Sequence, residues 1–294
     1  MKEGEQPDLS GQVVVVTGAN SGVGLETSVA LAAMGARVVM ACRDAGRAAT
    51  AHADVIHRSG SRDVEVASLD LASFESIHRF AEGFLAAHDR LDVLINNAGL
   101  TLDERAETSD GFEMTFGVNH LGHFLLTDLL RDRLVATAPA RVVVVASLAH
   151  RLTRSGIDFD DLQSQRSYRG FGAYSQSKLA NVMFALELAR QLKDSAVAVN
   201  AVHPGSINSN FGGDGDSGFM GWGISTFGKA VLATPEQGAR TSVLLASSNE
   251  VPVLGATGGY WSHGRRWKPS RRARDLDQAA RLWEVSEKLI AGAS

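Results

Sequence analysis

Tyr174 and Lys178 stand four residues apart in the run Tyr174-Ser175-Gln176-Ser177-Lys178, where helical spacing begins. Positions i and i+4 share a helix face, so a phenol and an ammonium can enter one site. A phenol titrates at about pH 10 in water, too high for good acid–base work at neutrality. A fixed ammonium beside it is expected to stabilise the phenolate and lower that value. Tyr168 and Tyr260 have no lysine at this spacing. Ser147 follows the valine run at 142–145. At the C-terminal end of a buried strand its hydroxyl can donate to a developing alkoxide or to a carbonyl oxygen. His150 lies close by in sequence, but no G-x-S-x-G elbow surrounds Ser147, which argues against a serine nucleophile. Asp160 and Asp161 read as solvated loop carboxylates, and Cys42 as a small buried side chain. No metal site is expected.

A second constellation could hold a phosphate. The run Thr17-Gly18-Ala19-Asn20-Ser21-Gly22-Val23-Gly24 follows the first apolar run and precedes an amphipathic stretch. Glycines at such a turn let backbone approach a pyrophosphate, and the helix that opens there aims N–H groups at the charge. The spacing is G-x-x-x-G-x-G, not the commoner G-x-G-x-x-G. After the second apolar run comes Arg43, then Asp44. An acid at this place suits a ribose 2′-hydroxyl and an arginine suits a 2′-phosphate. Arg43 falls first, which favours NADP(H); the adjacent Asp44 keeps NAD(H) possible.

These groups need a scaffold with converging strand ends. Short β-branched runs at 13–16, 38–40, 64–66, 93–95, 142–145, 197–202 and 258–261 alternate with helical patterns. Runs such as VVVV do not alternate in polarity, as expected of strands covered on both faces. The pattern predicts an α/β fold: a doubly wound parallel sheet of seven strands with helices on both faces. Leu25, Val29, Ala32 and Ala33 form one helix face, which Gly35 ends; Leu179, Val182, Met183 and Leu186 form another. A last helix, with Ala279, Leu282, Trp283, Ser286, Leu289 and Ile290 on one face, reads as core or subunit contact. Residues 150–172 read as an irregular stretch. Residues 205–229 carry eight glycines with Phe211, Phe219, Met220, Trp222 and Phe227, the composition of a lid over an apolar substrate. No linker or repeat divides residues 1–294, so one domain is expected.

Composition narrows the class. Thirty glycines against six prolines argue against disorder or collagen. One cysteine excludes an intramolecular disulfide framework and points to a reducing cytoplasm. The polar start, MKEGEQPDLS, lacks a secretory signal, and no run is long and apolar enough to span a membrane. A net charge of −4 makes nucleic acid an unexpected partner. That charge is uneven: residues 264–274, GRRWKPSRRAR, carry six basic groups and no acid. They read as a solvated loop, or as a surface for an anionic substrate or membrane face.

Taken in order, the run 17–24, Asp70, Asn96-Asn97-Ala98-Gly99, Asn119, Ser147, Tyr174 with Lys178, and Pro204-Gly205 resemble the short-chain dehydrogenase/reductase superfamily. The match covers residues 10–262 or so. ACRD, FGVNHLGHFLLT, IDFDDL, YSQSKLANVMF, HPG, TPEQGA and RLWEVSEKL are similar to its retinol dehydrogenase branch, which shares wording with light-dependent protochlorophyllide reductases and with the oxidoreductase domain of WW-domain proteins. The resemblance implies a Rossmann-type sheet. Ser147 would hold the substrate oxygen, and Tyr174 would exchange a proton with it. Lys178 would bind the nicotinamide ribose and depress the tyrosine pKa, and Asn119 would support a water relay to Lys178. Gly18, Asn20, Ser21, Gly22, Val23 and Gly24 would cradle the pyrophosphate. Asp70 and Leu71 would meet the adenine, with Asn97, Ala98 and Gly99 beside it. Pro204 and Ile207 would lie by the nicotinamide, with Ser209 where the family often has threonine.

The chain departs from the microsomal retinol enzymes in its polar decapeptide start and its basic segment 264–274. The expectation is a soluble cytoplasmic relative, assembled as a homo-oligomer. It would be an NADP(H)-dependent oxidoreductase acting on a carbonyl or alcohol of an apolar or polycyclic small molecule. The alternatives are a C=C reductase of the protochlorophyllide type and a non-catalytic nucleotide-sensing scaffold.

Overall fold

A computed structural model describes residues 7–153, 155–205, 233–249, 253 and 255–293. The valine run of β1 (Val13–Thr17) is buried along its whole length. Val13 and Val15 enter one core layer and Val14 and Val16 the other, the period-2 alternation that a central strand imposes. Pairing outward from β1 are β2 (Arg37–Cys42) and β3 (Val64–Ser68) on one side. On the other are β4 (Val93–Asn96), β5 (Ala140–Val145), β6 (Val197–His203), β7 (Gly259–Ser262) and β8 (Arg265–Trp267). The order β3-β2-β1-β4-β5-β6-β7-β8 reverses direction at β1, so a crevice opens outside the strand ends there.

Helices cover both faces. On one side lie α1 (Gly22–Ala33), α2 (Ala45–Ser59) and α7 (Pro235–Ser247), whose Leu31, Val55 and Leu245 share a core with Val14, Val16, Val38 and Ile95. On the other lie α3 (Phe74–Ala87), α5 (Gly122–Thr137), α6 (Gly170–Gln191) and α8 (Leu276–Gly292), which bury Phe80, Phe124, Met183 and Trp283. A short α4 (Met114–Phe116) leads into α5. The Thr234 hydroxyl and the Gln237 side chain cap the start of α7 reciprocally, with Pro235 at its first position. Among the described residues, no helix is long and apolar enough to cross a membrane.

The sheet corrects the expected strand count. It has eight strands, because part of the basic segment 264–274 is not a solvated loop but the edge strand β8, antiparallel to β7. His263 and Gly264 both take positive φ, 51° and 70°, between the paired residues Ser262 and Arg265. That is the backbone of a two-residue hairpin, which turns the chain back instead of releasing it.

Candidate active site

The phosphate-binding turn is built from a close approach of backbone to backbone. A Cβ on Gly24 would overlap the Gly18 carbonyl oxygen and Asn97 Nδ2, so only glycine lets α1 start against β1. Ser21 stands at the N-cap of α1 in extended conformation without a side-chain cap bond, and the first turn holds no acid. The N–H groups of that turn and the exposed Ser21 hydroxyl therefore face solvent beside the sheet ends, as a pyrophosphate requires. Asn20 and Val23 are half-buried on either side. At the end of β2, Asp44 accepts from Arg47 N at 2.8 Å and caps α2, whereas the Arg43 side chain is exposed. The residues present thus fit a dinucleotide, with both Arg43 and Asp44 exposed at the end of β2.

Thr17 ties this turn to β4. Its hydroxyl accepts from Asn97 N at 2.8 Å and Ala98 N at 2.9 Å, and Asn97 Nδ2 donates to Thr17 O at 2.8 Å. Asp70 is half-buried and accepts from Ala72 N at 2.9 Å, shaping the turn after β3. The Leu71 side chain belongs to the core.

Tyr174 and Lys178 project from the buried face of α6, one turn apart, and both are nearly inaccessible. Lys178 Nζ lies 5.6 Å from the Tyr174 ring centroid and donates to Val145 O at 3.3 Å. Ser147 follows β5 directly, and its hydroxyl is hydrogen-bonded to the Tyr174 phenol. Serine, tyrosine and lysine thus converge from two consecutive elements. The expected lowering of the tyrosine pKa by Lys178 is corrected here. Burial is the larger effect and pushes Tyr174 up to about 12, with the Ser147 hydrogen bond pulling the other way. Burial likewise lowers Lys178 to about 8. Two groups buried side by side both move toward their neutral forms. At neutral pH Tyr174 is therefore a phenol with a proton to give.

Asn119 sits in a π-helical turn, Gly117–Leu121, a wide turn that carries it inward between α4 and α5. Its amide is held on both ends: Oδ1 accepts from Leu100 N at 2.8 Å, and Nδ2 donates to Leu100 O at 2.9 Å and to Ser177 Oγ at 3.0 Å. A Cβ on Gly99 would lie 3.2 Å from both Asn119 Oδ1 and Lys178 Nζ. Glycine there lets the end of β4 pass close to both heads.

Residues from the ends of β1, β4 and β5, the Gly117–Leu121 turn and α6 thus gather at one edge of the sheet. The sequence profile of the short chain dehydrogenase family matches residues 12–159 and 161–216. The chain belongs to the short-chain dehydrogenase family. Among curated relatives of this short-chain dehydrogenase, human retinol dehydrogenase 11 is 46% identical over 282 residues, covering 96% of this chain and 86% of the relative. Human retinol dehydrogenase 14 is 41% identical over 305 residues, 99% and 90% of the two chains. Among solved structures, an uncharacterised protein of Mycobacterium paratuberculosis superposes with a TM-score of 0.78 at 37% identity, over 97% of this chain and 95% of that one. The RhlG/NADP active-site complex of Pseudomonas aeruginosa has a TM-score of 0.68 at 25% identity, covering 87% and 95%. This short-chain dehydrogenase is an oxidoreductase.

Pro204 is half-buried beyond β6. Ile207, Ser209 and the proposed lid with Phe211, Phe219, Met220, Trp222 and Phe227 lie outside the described residues. His150 offers Nδ1 to the Ser147 carbonyl at 2.6 Å, not to its hydroxyl, so no serine–histidine nucleophile forms. Asp160 and Asp161 are loop residues, and Asp161 caps Gln165 N and Arg166 N. Cys42 is buried, and burial raises its thiol to about 11. Two residues escaped the sequence reading. His123 is linked to both Thr17 and the Asn119 carbonyl; its one trace is a position four residues beyond Asn119 on the same helix face. Glu113, fully buried, caps α4 through Thr115 N and Phe116 N at 2.7 Å each, and nothing local marks it.

Proposed function

We propose that this short-chain dehydrogenase is an NADP(H)-dependent reductase/dehydrogenase of an apolar or polycyclic carbonyl or alcohol. The observation that carries the reading is the convergence of Ser147, Tyr174 and Lys178: a hydroxyl bonded to a protonated phenol, with an ammonium over the same ring. When bound, reduced nicotinamide supplies the hydride for the carbonyl carbon. The Ser147 hydroxyl donates a hydrogen bond to the carbonyl oxygen and aligns it with Tyr174. Tyr174 Oη gives its proton to that oxygen as negative charge develops there, completing the alcohol. The Lys178 ammonium, fixed by the Val145 carbonyl, stabilises the tyrosinate left behind. Oxidation of an alcohol runs the same steps in reverse.

The exposed Arg43 beside an Asp44 engaged as a helix cap supports NADP(H) over NAD(H). The NADP complex of the Pseudomonas relative points the same way. The retinol dehydrogenases among the relatives support an apolar substrate. A single buried thiol suits a reducing cytoplasm, where the protein would act as a homo-oligomer. The test is a panel of ketones, aldehydes and alcohols with NADPH and NADH, followed by reduced-nicotinamide absorbance with product analysis. Carbonyl-to-alcohol conversion preferring NADPH is expected. Saturation of a C=C bond, or nucleotide binding without turnover on any member, would overturn the reading.

A further inference from the structure

The turn that carries Ser147 is strapped to the basic segment by bonds between side chains and main chain. After Ser147 the chain makes a 3-10 turn, Leu148–Arg151, and His150 within it is fully buried against the Tyr260 ring, centroids 4.9 Å apart. Both imidazole nitrogens are engaged. Ser270 N donates to His150 Nε2 at 3.1 Å, so that nitrogen carries a lone pair. The other, Nδ1, therefore carries the proton and donates it to the Ser147 carbonyl at 2.6 Å. Two further bonds flank this one: Arg151 Nη2 donates to Lys268 O at 2.5 Å, and Arg272 Nη1 donates to Thr153 O at 2.7 Å. The strap is anchored at one end by the β7–β8 hairpin and at the other by Asp275, which caps α8.

We propose that His150 is a positioning residue: as a neutral imidazole with the proton on Nδ1, it couples docking of the 265–274 strap to the placement of the Ser147 hydroxyl against Tyr174. The coupling rests on the reading of Ser147 and Tyr174 as the catalytic pair. An imidazolium cannot accept from Ser270 N, and the opposite tautomer loses both bonds at once. Burial keeps the ring neutral by lowering its pKa, and the Arg151 charge adds to this. His203 on β6 and Tyr260 on β7 also face it, and burial favours the uncharged form of both. The six basic groups of 264–274 thus belong to a segment whose backbone shapes the site.

The test compares kcat, KM and NADPH affinity on the best carbonyl of the panel. His150→Phe keeps the packing on Tyr260 and removes both bonds; kcat is expected to fall on the order of 10²-fold while the NADPH Kd stays within about twofold. His150→Asn keeps a donor near Nδ1 and is expected to restore kcat to within about fivefold of the parent. Arg272→Ala, remote from the reacting atoms, is expected to lower kcat severalfold with unchanged cofactor affinity. A kcat within about threefold of the parent in His150→Phe overturns the coupling. So does a parallel loss of kcat and NADPH affinity. If His150→Phe does not fold, nitrogen-15 histidine spectra of the parent decide, with the His150 signals assigned by their absence in His150→Asn. A protonated Nδ1 with an unprotonated Nε2 at neutral pH supports the proposal, and the opposite tautomer or an imidazolium overturns it. Tyr174→Phe separates the two readings: inactive Tyr174→Phe with unaffected His150 variants fells the coupling alone, and active Tyr174→Phe fells both.

Discussion

Thr17 Oγ1 and His123 Nε2 lie 2.9 Å apart in the buried centre of the molecule. The Thr17 oxygen already accepts from Asn97 N and Ala98 N, and His123 Nδ1 meets the Asn119 carbonyl at 3.1 Å. Nδ1–H donates to the Asn119 carbonyl, which leaves Nε2 to accept; the single Thr17 O–H faces that nitrogen at 2.9 Å and the Ile95 carbonyl at 3.3 Å. One hydroxyl thus joins the phosphate turn, the end of β4 and the Asn119 turn. Thr17→Val leaves two half-buried N–H donors unpaired and is expected to cost roughly 1–3 kcal/mol, with weaker NADPH binding. Thr17→Ser should recover most of both. Denaturant unfolding and cofactor titration measure the two effects; equal stability of Thr17→Val would contradict the network.

Burial lowers the pKa of Lys178. Its value falls to about 8, so the ammonium that would support Tyr174 in the proposed mechanism is lost as pH rises through it. Carbonyl reduction is expected to decline above about pH 8, and Lys178→Met should remove that limb along with most activity. Tyr174→Phe removes the proton donor itself and is expected to cost about 10²–10⁴-fold in kcat with NADPH binding intact. Rates across pH 6–10 for the three proteins test this. A flat parent profile through pH 9 contradicts the role given to the ammonium.

On the proposed function, Arg43 is expected to separate the cofactors. Asp44 Oδ1 is held by Arg47 N at the α2 cap, which ties its carboxylate to α2, while the Arg43 side chain is exposed beside it. Arg43→Ala is expected to raise the KM for NADPH by about 10- to 100-fold and to leave that for NADH nearly unchanged. Equal effects on the two cofactors would place Arg43 outside the 2′ site.

Three histidines make the fold acid-sensitive. Burial lowers His120 to about 3, with the neighbouring His123 charge adding to the effect; it lowers His123 and His203 to about 4. In the unfolded chain these groups take up protons near pH 6.5, in the folded chain only far below it. Their contribution to stability is full above about pH 6.5 and is lost as pH falls toward 4, by up to about 4 kcal/mol per pH unit for the three together. Denaturant midpoints measured from pH 7.5 to 5 should drop steeply, and His203→Asn should flatten the slope by about one proton.

Much of this site is visible in the chain because its parts are local. Gly18, Gly22 and Gly24 mark a tight strand-to-helix turn, and Tyr174 and Lys178 share a helix face by spacing alone. Six of the eight strands announce themselves as runs rich in β-branched residues, and β7 by its Tyr260-Trp261 pair. β8 does not: Arg265 to Trp267 is charged and exposed, and becomes a strand only because His263 and Gly264 fold it onto β7. The acidity of Tyr174 was likewise unreadable. Spacing places a charge near the phenol, but the depth of burial of both groups sets the direction of the shift.

The sequence by itself determined the doubly wound sheet, the order of its motifs and the chemistry available at Ser147, Tyr174, Lys178 and Arg43. Side-chain type and short-range spacing suffice for these. Only the tertiary structure decided which groups share protons across long separations: Thr17 with His123, Asn119 with Leu100, and His150 with Ser270. Such bonds join residues that the strand order and helix packing bring together, and no local pattern in the chain encodes that proximity.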